Sequence, residues 1–246
     1  MALIQVGDIF ITNQGCRAKV VEYISYKKIL IEFDDEHKHR MYTYATNLKK
    51  GQVSNPFYRS IYGVGYIGFG KFNVAVNRKA TYEYLIWKAM LQRCYSDVRH
   101  EIDPTYKNCT VCYEWHNFQV FAEWYTNHEF YGLGYQLDKD LLIDGNKVYS
   151  PETCSLVPSP INNLFLDSGA KRGEYPIGVH YSKRDNVFVA RLNINGRKTH
   201  LGHFDSPIKA SEAYQKAKKE YVKQKALEWQ DRIDKRLFDA LMAKAA

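Results

Sequence analysis

The sequence predicts an α+β protein of three modules, and three patterns in its letters lead to that prediction. Residues 4–50 alternate between apolar and polar side chains as half-buried strands do, and residues 176–222 have the pattern of three strands followed by a helix. Between them, residues 80–95 and 114–127 carry apolar side chains at helical spacing. The predicted modules are a small antiparallel β-barrel over 1–55, a central α+β domain over 56–170, and a three-stranded sheet with a helix and a helical tail over 171–246.

The first module rests on four alternating stretches, DIFIT, AKVVEYIS, KILIEFDD and HRMYTYA. Turn residues in NQG, YKK and DDEHK separate them, as expected for short antiparallel connections. We expect a barrel that ends near Lys50 and Gly51 and serves mainly as a scaffold. Small barrels also bind nucleic acid or peptides, so RNA binding through this module remains a weaker alternative.

A glycine-rich segment follows, in which Gly63, Gly65 and Gly68 match the spacing GxGxxG. The dinucleotide fingerprint needs a strand before these glycines and a helix that opens at them. Neither pattern surrounds this segment, so we predict a flexible or close-packed turn and no nucleotide cofactor.

Positive charge is concentrated in the last third of the chain. Residues 1–170 hold 18 Lys and Arg against 18 Asp and Glu, whereas residues 171–246 hold 17 against nine, which is the whole net charge of +8. Such asymmetry indicates a segment that binds a polyanion. A solvated lysine-rich helix is the alternative that charge alone leaves open.

The composition also indicates the cellular compartment in which the protein works. No apolar run approaches the ~18 residues that a membrane span needs, and MALIQVGDIF lacks the basic and apolar regions of a secretory signal. Five cysteines, an odd number, fit a reducing cytosol better than a disulfide framework. We therefore expect a cytoplasmic protein with no membrane partner.

The central module carries a group of residues suited to metal chemistry. Residues 137–154 read LDKDLLIDGNKVYSPETC, and Asn162 and Asn163 follow after a short stretch. Further landmarks are shared with one enzyme family and comprise Trp87, Arg93-Cys94-Tyr95, Tyr106, Val111-Cys112, Glu114-Trp115, Gly145-Asn146 and Ile161-Asn162. As a set, residues 84–164 resemble the phage-type HNH endonucleases of the ββα-metal class.

That resemblance implies a metal-dependent DNA endonuclease whose catalytic residues are Asp138, Lys139, Asp140 and Asn162. Asp138 and Asn162 would ligate a divalent cation, brought together by a hairpin whose loop contains Gly145 and Asn146. Oxygen ligands suit Mg²⁺ or Mn²⁺, and Mg²⁺ commonly takes only one or two protein groups and keeps its waters.

Lys139 departs from the family pattern, because it stands where these enzymes carry a histidine base. An unperturbed lysine is protonated at pH 7, and two flanking carboxylates favour that state, so Lys139 is a poor base and a reasonable phosphate clamp. Asp140 and His116 are the alternative bases. A finger kept as a DNA-binding scaffold without catalysis is the competing interpretation.

Four cysteines raise a separate metal hypothesis. Cys109 and Cys112 have the two-residue spacing of half a zinc site, and Cys94 and Cys154 would complete a four-thiolate structural zinc site. A second CxxC is absent, so buried cysteines without a metal fit the same letters.

The last module is the clearest signal. Strands HYSK, VFVARLNI and RKTHLGHF are joined at Arg184-Asp185-Asn186 and at Asn195-Gly196, and Asn-Gly between alternating strands predicts a hairpin. A helix with Ser206 as its N-cap and Pro207 as its first residue follows. One sheet face, with Phe188, Ala190 and Leu192, is expected to pack on this helix.

This module resembles the APETALA/ethylene-response-factor DNA-binding domain of plants, which also occurs in homing nucleases. The shared letters are Gly178-Val179, Phe188-Val189-Ala190, Leu201-Gly202, Phe204-Asp205 and the alanine-rich helix. The resemblance implies double-stranded DNA binding through the outer sheet face, at His180, Ser182, Arg191, Asn193, Lys198 and His200, with Lys183, Arg184 and Arg197 on phosphates. Four of these positions, His180, Ser182, Asn193 and His200, lack the family's arginines and tryptophans, so the resemblance implies double-stranded DNA binding without implying the family's sequence preference.

Two functional classes follow from these patterns. The first is a DNA endonuclease of the homing or nicking type, in which the last module selects the site and the central finger cleaves it. The second is a DNA-binding protein without catalysis, such as a repressor or a competitor for a site.

Overall fold

A computed structural model describes residues 3–165 and 174–246. Within these residues the structure is a mixed α+β fold of several small antiparallel sheets and seven α-helices, which confirms the predicted class. None of those helices combines the length and apolarity that crossing a membrane requires. The chain folds as two compact units, Met1–Thr126 and Asn127–Ala246. The predicted boundary between residues 170 and 171 lies outside the described residues, and the three-module division stays a prediction.

The first unit begins with a sheet of strands in the order β1–β2–β3–β4, all antiparallel. Its elements are β1 (Ile9–Ile11), β2 (Arg17–Ser25), β3 (Lys28–Phe33), β4 (Arg40–Thr43), α1 (Ala45–Lys49), β5 (Ala75–Val76), β6 (Lys79–Ala80), α2 (Tyr82–Tyr95), α3 (Asp97–Ile102), β7 (Thr110–Val111) and α4 (Phe118–Asn127). Alternate residues of β2 and β3 form its core with Leu48 and Val53. The antiparallel sheet is thus present, whereas no pairing of β1 with β4 closes it into a barrel in the described residues.

Two aromatic helices form the rest of this unit. Trp87 of α2 and Phe118, Phe121 and Tyr125 of α4 are almost fully buried, as their helical spacing predicts. Gly65 of the glycine-rich segment lies so close to Trp87 that a β-carbon there would collide with the side chains around it. The segment is therefore a close-packed turn.

The second unit contains the predicted hairpin and the basic sheet. Its elements are β8 (Gln136–Asp138), β9 (Val148–Tyr149), β10 (Ser155–Val157), α5 (Ser159–Asn162), β11 (Val179–Ser182), β12 (Val187–Ile194), β13 (Arg197–Phe204), α6 (Pro207–Trp229) and α7 (Lys235–Ala245). Strands β8 and β10 are antiparallel, with Asp138 opposite Ser155. Strands β11, β12 and β13 form the three-stranded sheet in chain order.

Helix α6 belongs to two cores. Its first half packs Ala210 and Tyr214 against Ala190 and Leu192 of the sheet. Its second half contributes Val222 and Ala226 to another cluster, which also contains Leu141, Val157, Ile161, Ile233, Leu237 and Leu241. Because one continuous helix enters both clusters, the β8–β10 hairpin and the three-stranded sheet form one packed body. The tail helix α7 packs against the hairpin.

Candidate functional site

The candidate cation site lies where β8 ends and α5 ends. Asn162 donates a side-chain N–H to Oε1 of Gln136 at 2.5 Å. Gln136 and Asp138 are two residues apart on β8, so their side chains leave the same face of the strand. The buried residue between them, Leu137, points to the other side. The structure therefore brings Asp138 and Asn162, the two predicted metal ligands, to one face of the hairpin.

Asp138 is held in place by the turn that follows it. Its Oδ1 accepts hydrogen bonds from the backbone N–H groups of Asp140 at 3.0 Å and Leu141 at 2.8 Å. Burial of the carboxyl, together with the negative charge of Asp140, raises the pKa of Asp138 above its ordinary value despite these bonds. A cation at this position would favour the ionised carboxylate, and a carboxylate with an amide oxygen is a donor pair that suits Mg²⁺ or Mn²⁺.

The side chain of Lys139 is buried within the loop that follows β8. Its Nζ lies 2.8 Å from Oδ2 of Asp140 and 5.8 Å from the centre of the Tyr149 ring, and its side chain is only 6 % exposed. This placement does not fit the predicted phosphate clamp, because a clamp must reach solvent where the phosphate binds. Burial against the tyrosine and the pairing with Asp140 account for the difference.

The predicted loop residues do hold the hairpin turn. Asn146 donates its side-chain amide to the backbone carbonyls of Lys139 at 2.6 Å and Val148 at 2.7 Å. Gly145, with φ of +71°, takes a backbone conformation that glycine adopts without strain. These contacts fix the chain that returns from Asp138 to β9.

The two alternative bases differ in surroundings. Asp140 is half exposed and paired with Lys139. His116 belongs to the first unit, where burial lowers the pKa of its imidazole and Tyr95 Oη lies 3.5 Å from its Nε2. A neutral imidazole can accept a proton, but the structure gives no reason to assign His116 to the Asp138–Asn162 site.

The four-cysteine zinc hypothesis stays a prediction. Cys94, Cys109 and Cys154 are buried and Cys112 is partly buried. Among the described residues, no group of three or more His, Cys, Asp or Glu side chains is arranged to hold a metal ion. Cys109 directly precedes β7 and Cys112 directly follows it.

The outer face of the three-stranded sheet contains the predicted DNA contacts. Strand pairing sets His180 opposite Val189, Arg191 opposite His200, and Asn193 opposite Lys198. Phe188, Ala190 and Leu192 point to the opposite face, toward α6. The predicted division of the sheet into an apolar and a polar face is confirmed.

Charge on this face is mostly positive. Arg191 and Lys198 are exposed on it, and Lys183 and Arg197 are exposed at the turns between the strands. Arg184 pairs with Asp185 at 2.9 Å, and Ser182 donates its hydroxyl to the same carboxylate, so these two contacts are partly occupied within the chain. Burial, and then the charges of Arg191 and His200, lower the pKa of His180.

His203 is a face residue that sequence reasoning missed. Strict alternation from Lys198 and His200 places residue 203 on the apolar side. The register shifts between Ala190 and Arg191, opposite Gly202 and His200, which turns His203 outward to face Val189. Its ring lies 4.7 Å from that of His200. A glycine inside a strand, here Gly202 with φ of +143°, is the signal that a bulge is present.

A second missed residue is Arg236 of α7. Its guanidinium donates to the backbone carbonyls of Pro151, Glu152 and Cys154, each at 3.2 Å, and to Asp234 at 2.8 Å. Ser155, which is opposite Asp138 in the hairpin, also donates to Asp234. The tail helix thus holds the strand that supports Asp138.

Comparison of the chain with protein-family models, curated proteins and solved structures gives no match.

Proposed function

We propose that this protein is a sequence-directed endonuclease of double-stranded DNA that requires a divalent cation. The observation that carries the proposal is the presence, in one packed body, of the Asp138–Asn162 pair and the cationic sheet face. A duplex bound on the sheet would then be cut at a set distance from the recognised bases. Cleavage of the homing or nicking type and a cytoplasmic location belong to the same proposal.

The finer fold assignments are part of it. Strands β8 and β10 with α5 would be a ββα-metal finger of the HNH kind, and β11–β13 with α6 an ethylene-response-factor-like domain. The strand order, the Asn195-Gly196 hairpin and the helix packed on one face support the second assignment. We also propose that the N-terminal sheet closes into a small barrel.

Each residue of the finger would have a defined task. Asp138 through its free oxygen, and Asn162 through its amide oxygen, would hold Mg²⁺ or Mn²⁺, which supplies Lewis acidity at the scissile phosphate. Gln136 orients Asn162 through the hydrogen bond to its amide. Asp140, whose backbone N–H donates to Asp138, would accept the proton of the attacking water. Lys139 keeps the turn closed.

On the sheet, the contacts divide into two kinds. Arg191, Asn193, Lys198, His180 and His200 stand on the face that would enter the major groove, where arginine and asparagine read base edges. Lys183, Arg184 and Arg197 lie at the hairpin turns and would contact phosphates without reading sequence.

A specific observation favours the second candidate, a DNA-binding protein without catalysis. Lys139 occupies the position of the family's base and is turned into the loop. A finger without that base would support a repressor or a competitor for a site, which needs the sheet alone.

Incubation of purified protein with supercoiled plasmid separates the two candidates. With Mg²⁺ or Mn²⁺ we expect nicked or linear plasmid, and Asp138→Ala should abolish the product while leaving duplex affinity intact. Asp239→Asn, which removes an exposed carboxylate from α7, is the matched control. Tight DNA binding with no strand break under any divalent ion would establish the non-catalytic alternative.

A further inference from the structure

The second unit contains a cavity of about 690 Å³ beside α6. One wall comes from the end of α5 and the turn after it, and includes Asn163 and Phe165. Another wall comes from β12 and its turn, and includes Asn193 and Asn195. The cavity therefore lies between the hairpin and the three-stranded sheet.

Its lining includes residues close in the chain to both parts of the candidate site. Asn163 directly follows Asn162, the amide ligand of the candidate cation site. Asn193 is itself an outer-face residue of β12, paired with Lys198.

The cavity is rich in positive charge. Four lysines line it, namely Lys218, Lys219, Lys225 and Lys244. Lys225 is paired with Glu228, and Lys244 with Asp144. Lys218 instead donates to the backbone carbonyl of Leu164 at 2.5 Å, and no carboxylate of the described residues lies within ion-pair distance of it. Lys219 is exposed.

The charged form of Lys218 is destabilised by burial, and a bound anion would offset that destabilisation. Burial lowers the pKa of its ammonium group, since the charged form loses hydration without gaining a carboxylate. The bond to Leu164 uses one of its three donors. Among the residues that the structure describes, no other acceptor is bonded to this ammonium group, so two donors are left for an anionic oxygen. Lys219, the second cation, is the next residue on the helix.

We propose that this cavity binds a backbone phosphate of duplex DNA between the recognition sheet and the Asp138–Asn162 pair, with Lys218 and Lys219 as its ligands. The inference rests on the proposed function and adds a third point of contact to it. This contact would set the path of the strand toward the cation site, and it would contribute affinity without sequence preference.

The test is a salt titration of duplex affinity. Loss of one phosphate contact reduces the slope of log affinity against log salt by about 0.9. For Lys218→Met and Lys219→Met we therefore expect a shallower slope, and roughly tenfold weaker binding for each at low salt. Lys218→Arg keeps the charge and should retain most of both. Lys223→Met, an exposed lysine of the same helix outside the cavity, is the matched control.

Three results would overturn the inference. If both cavity variants match Lys223→Met while Arg191→Met weakens binding, the phosphate contact is absent and the proposed function stands. If inorganic phosphate binds the wild type in a Lys218-dependent way and the DNA salt slopes stay equal, the cavity serves a free anion instead. If the wild-type protein binds no duplex DNA at all, the inference and the proposed function both fail. Thermal unfolding of each variant confirms that it is folded.

Discussion

Gly178 lies directly against the ring of Tyr214, so that a β-carbon at residue 178 would overlap the ring atoms. The glycine also has φ of +77°, which other residues adopt only with strain. This contact is where β11 begins and where the sheet meets α6. It decides how closely the three-stranded sheet and helix α6 can approach each other.

We expect Gly178→Ala to lower the free energy of unfolding by about 2–3 kcal/mol, because overpacking adds to the backbone strain. Gly196→Ala is the matched control, since Gly196 has φ of +81° and open space around its α-carbon. The free energy of unfolding of that variant should fall by only about 1 kcal/mol, which is the cost of the backbone strain alone. Chemical denaturation measures both. Equal losses would mean that Tyr214 moves aside without cost.

Lys139 is expected to act on stability and not on DNA. Lys139→Ala removes the buried stem over Tyr149 and the pair with Asp140, which should cost about 1–3 kcal/mol of unfolding free energy. The slope of DNA affinity against salt should stay unchanged. A shallower slope together with normal stability would instead return Lys139 to the role of phosphate clamp.

We expect the affinity of the protein for duplex DNA to depend on pH because of His180. Because burial, Arg191 and His200 lower its pKa below the ordinary 6.5, the imidazole is neutral at pH 7 and gains its charge only under more acidic conditions. A new positive charge on the outer face strengthens phosphate attraction, so affinity should rise as the pH falls below 6.5. Fluorescence anisotropy of a labelled duplex between pH 7.5 and 5.5 measures this rise.

The control for that titration is His180→Gln, which keeps a hydrogen-bonding side chain but cannot be charged. The acid-dependent gain should become smaller in this variant. An unchanged pH profile would assign the effect to groups other than His180. Affinity that falls with acid would contradict the prediction for the whole face.

We expect Arg236 to couple the tail helix to the candidate cation site. Arg236→Met removes the donors to three backbone carbonyls of the hairpin, so we expect a loss of about 2–4 kcal/mol in unfolding free energy. Strand cleavage should fall with it, while duplex affinity should change little. Lys235→Met, at the neighbouring exposed position, is the control. A variant that cleaves normally despite lower stability would show that Arg236 does not position Asp138.

Much of the basic module was predictable because its signals are local. Asn195 and Gly196 both have positive φ, at 50° and 81°, which is what an Asn-Gly hairpin turn requires. Alternation along β12 then decides which side chains face α6 and which face outward. The Ser206 cap and Pro207 likewise mark the start of α6, and Ser206 does accept from the N–H of Lys209.

The candidate cation site was predictable only in part. The order of Asp138, the turn and Asn162 along the chain indicated that a hairpin would bring them together. The direction of Lys139 was not encoded in that order, because it depends on the packing of Tyr149 and on the path of the loop held by Asn146. The position of His203 depended in the same way on a register shift in the neighbouring strand.

The letters alone thus determined the strands of the first and last sheets, the Asn195-Gly196 turn and the start of α6, since those follow from backbone preferences and side-chain spacing within about ten residues. They did not predict α1, α3 or the β5–β6 pair. Tertiary structure alone decided that α6 enters two cores and that Arg236 reaches a hairpin 82 to 85 residues earlier in the chain. Such contacts form when apolar faces and unpaired backbone carbonyls from distant segments are buried together, and no local pattern records which segments will meet.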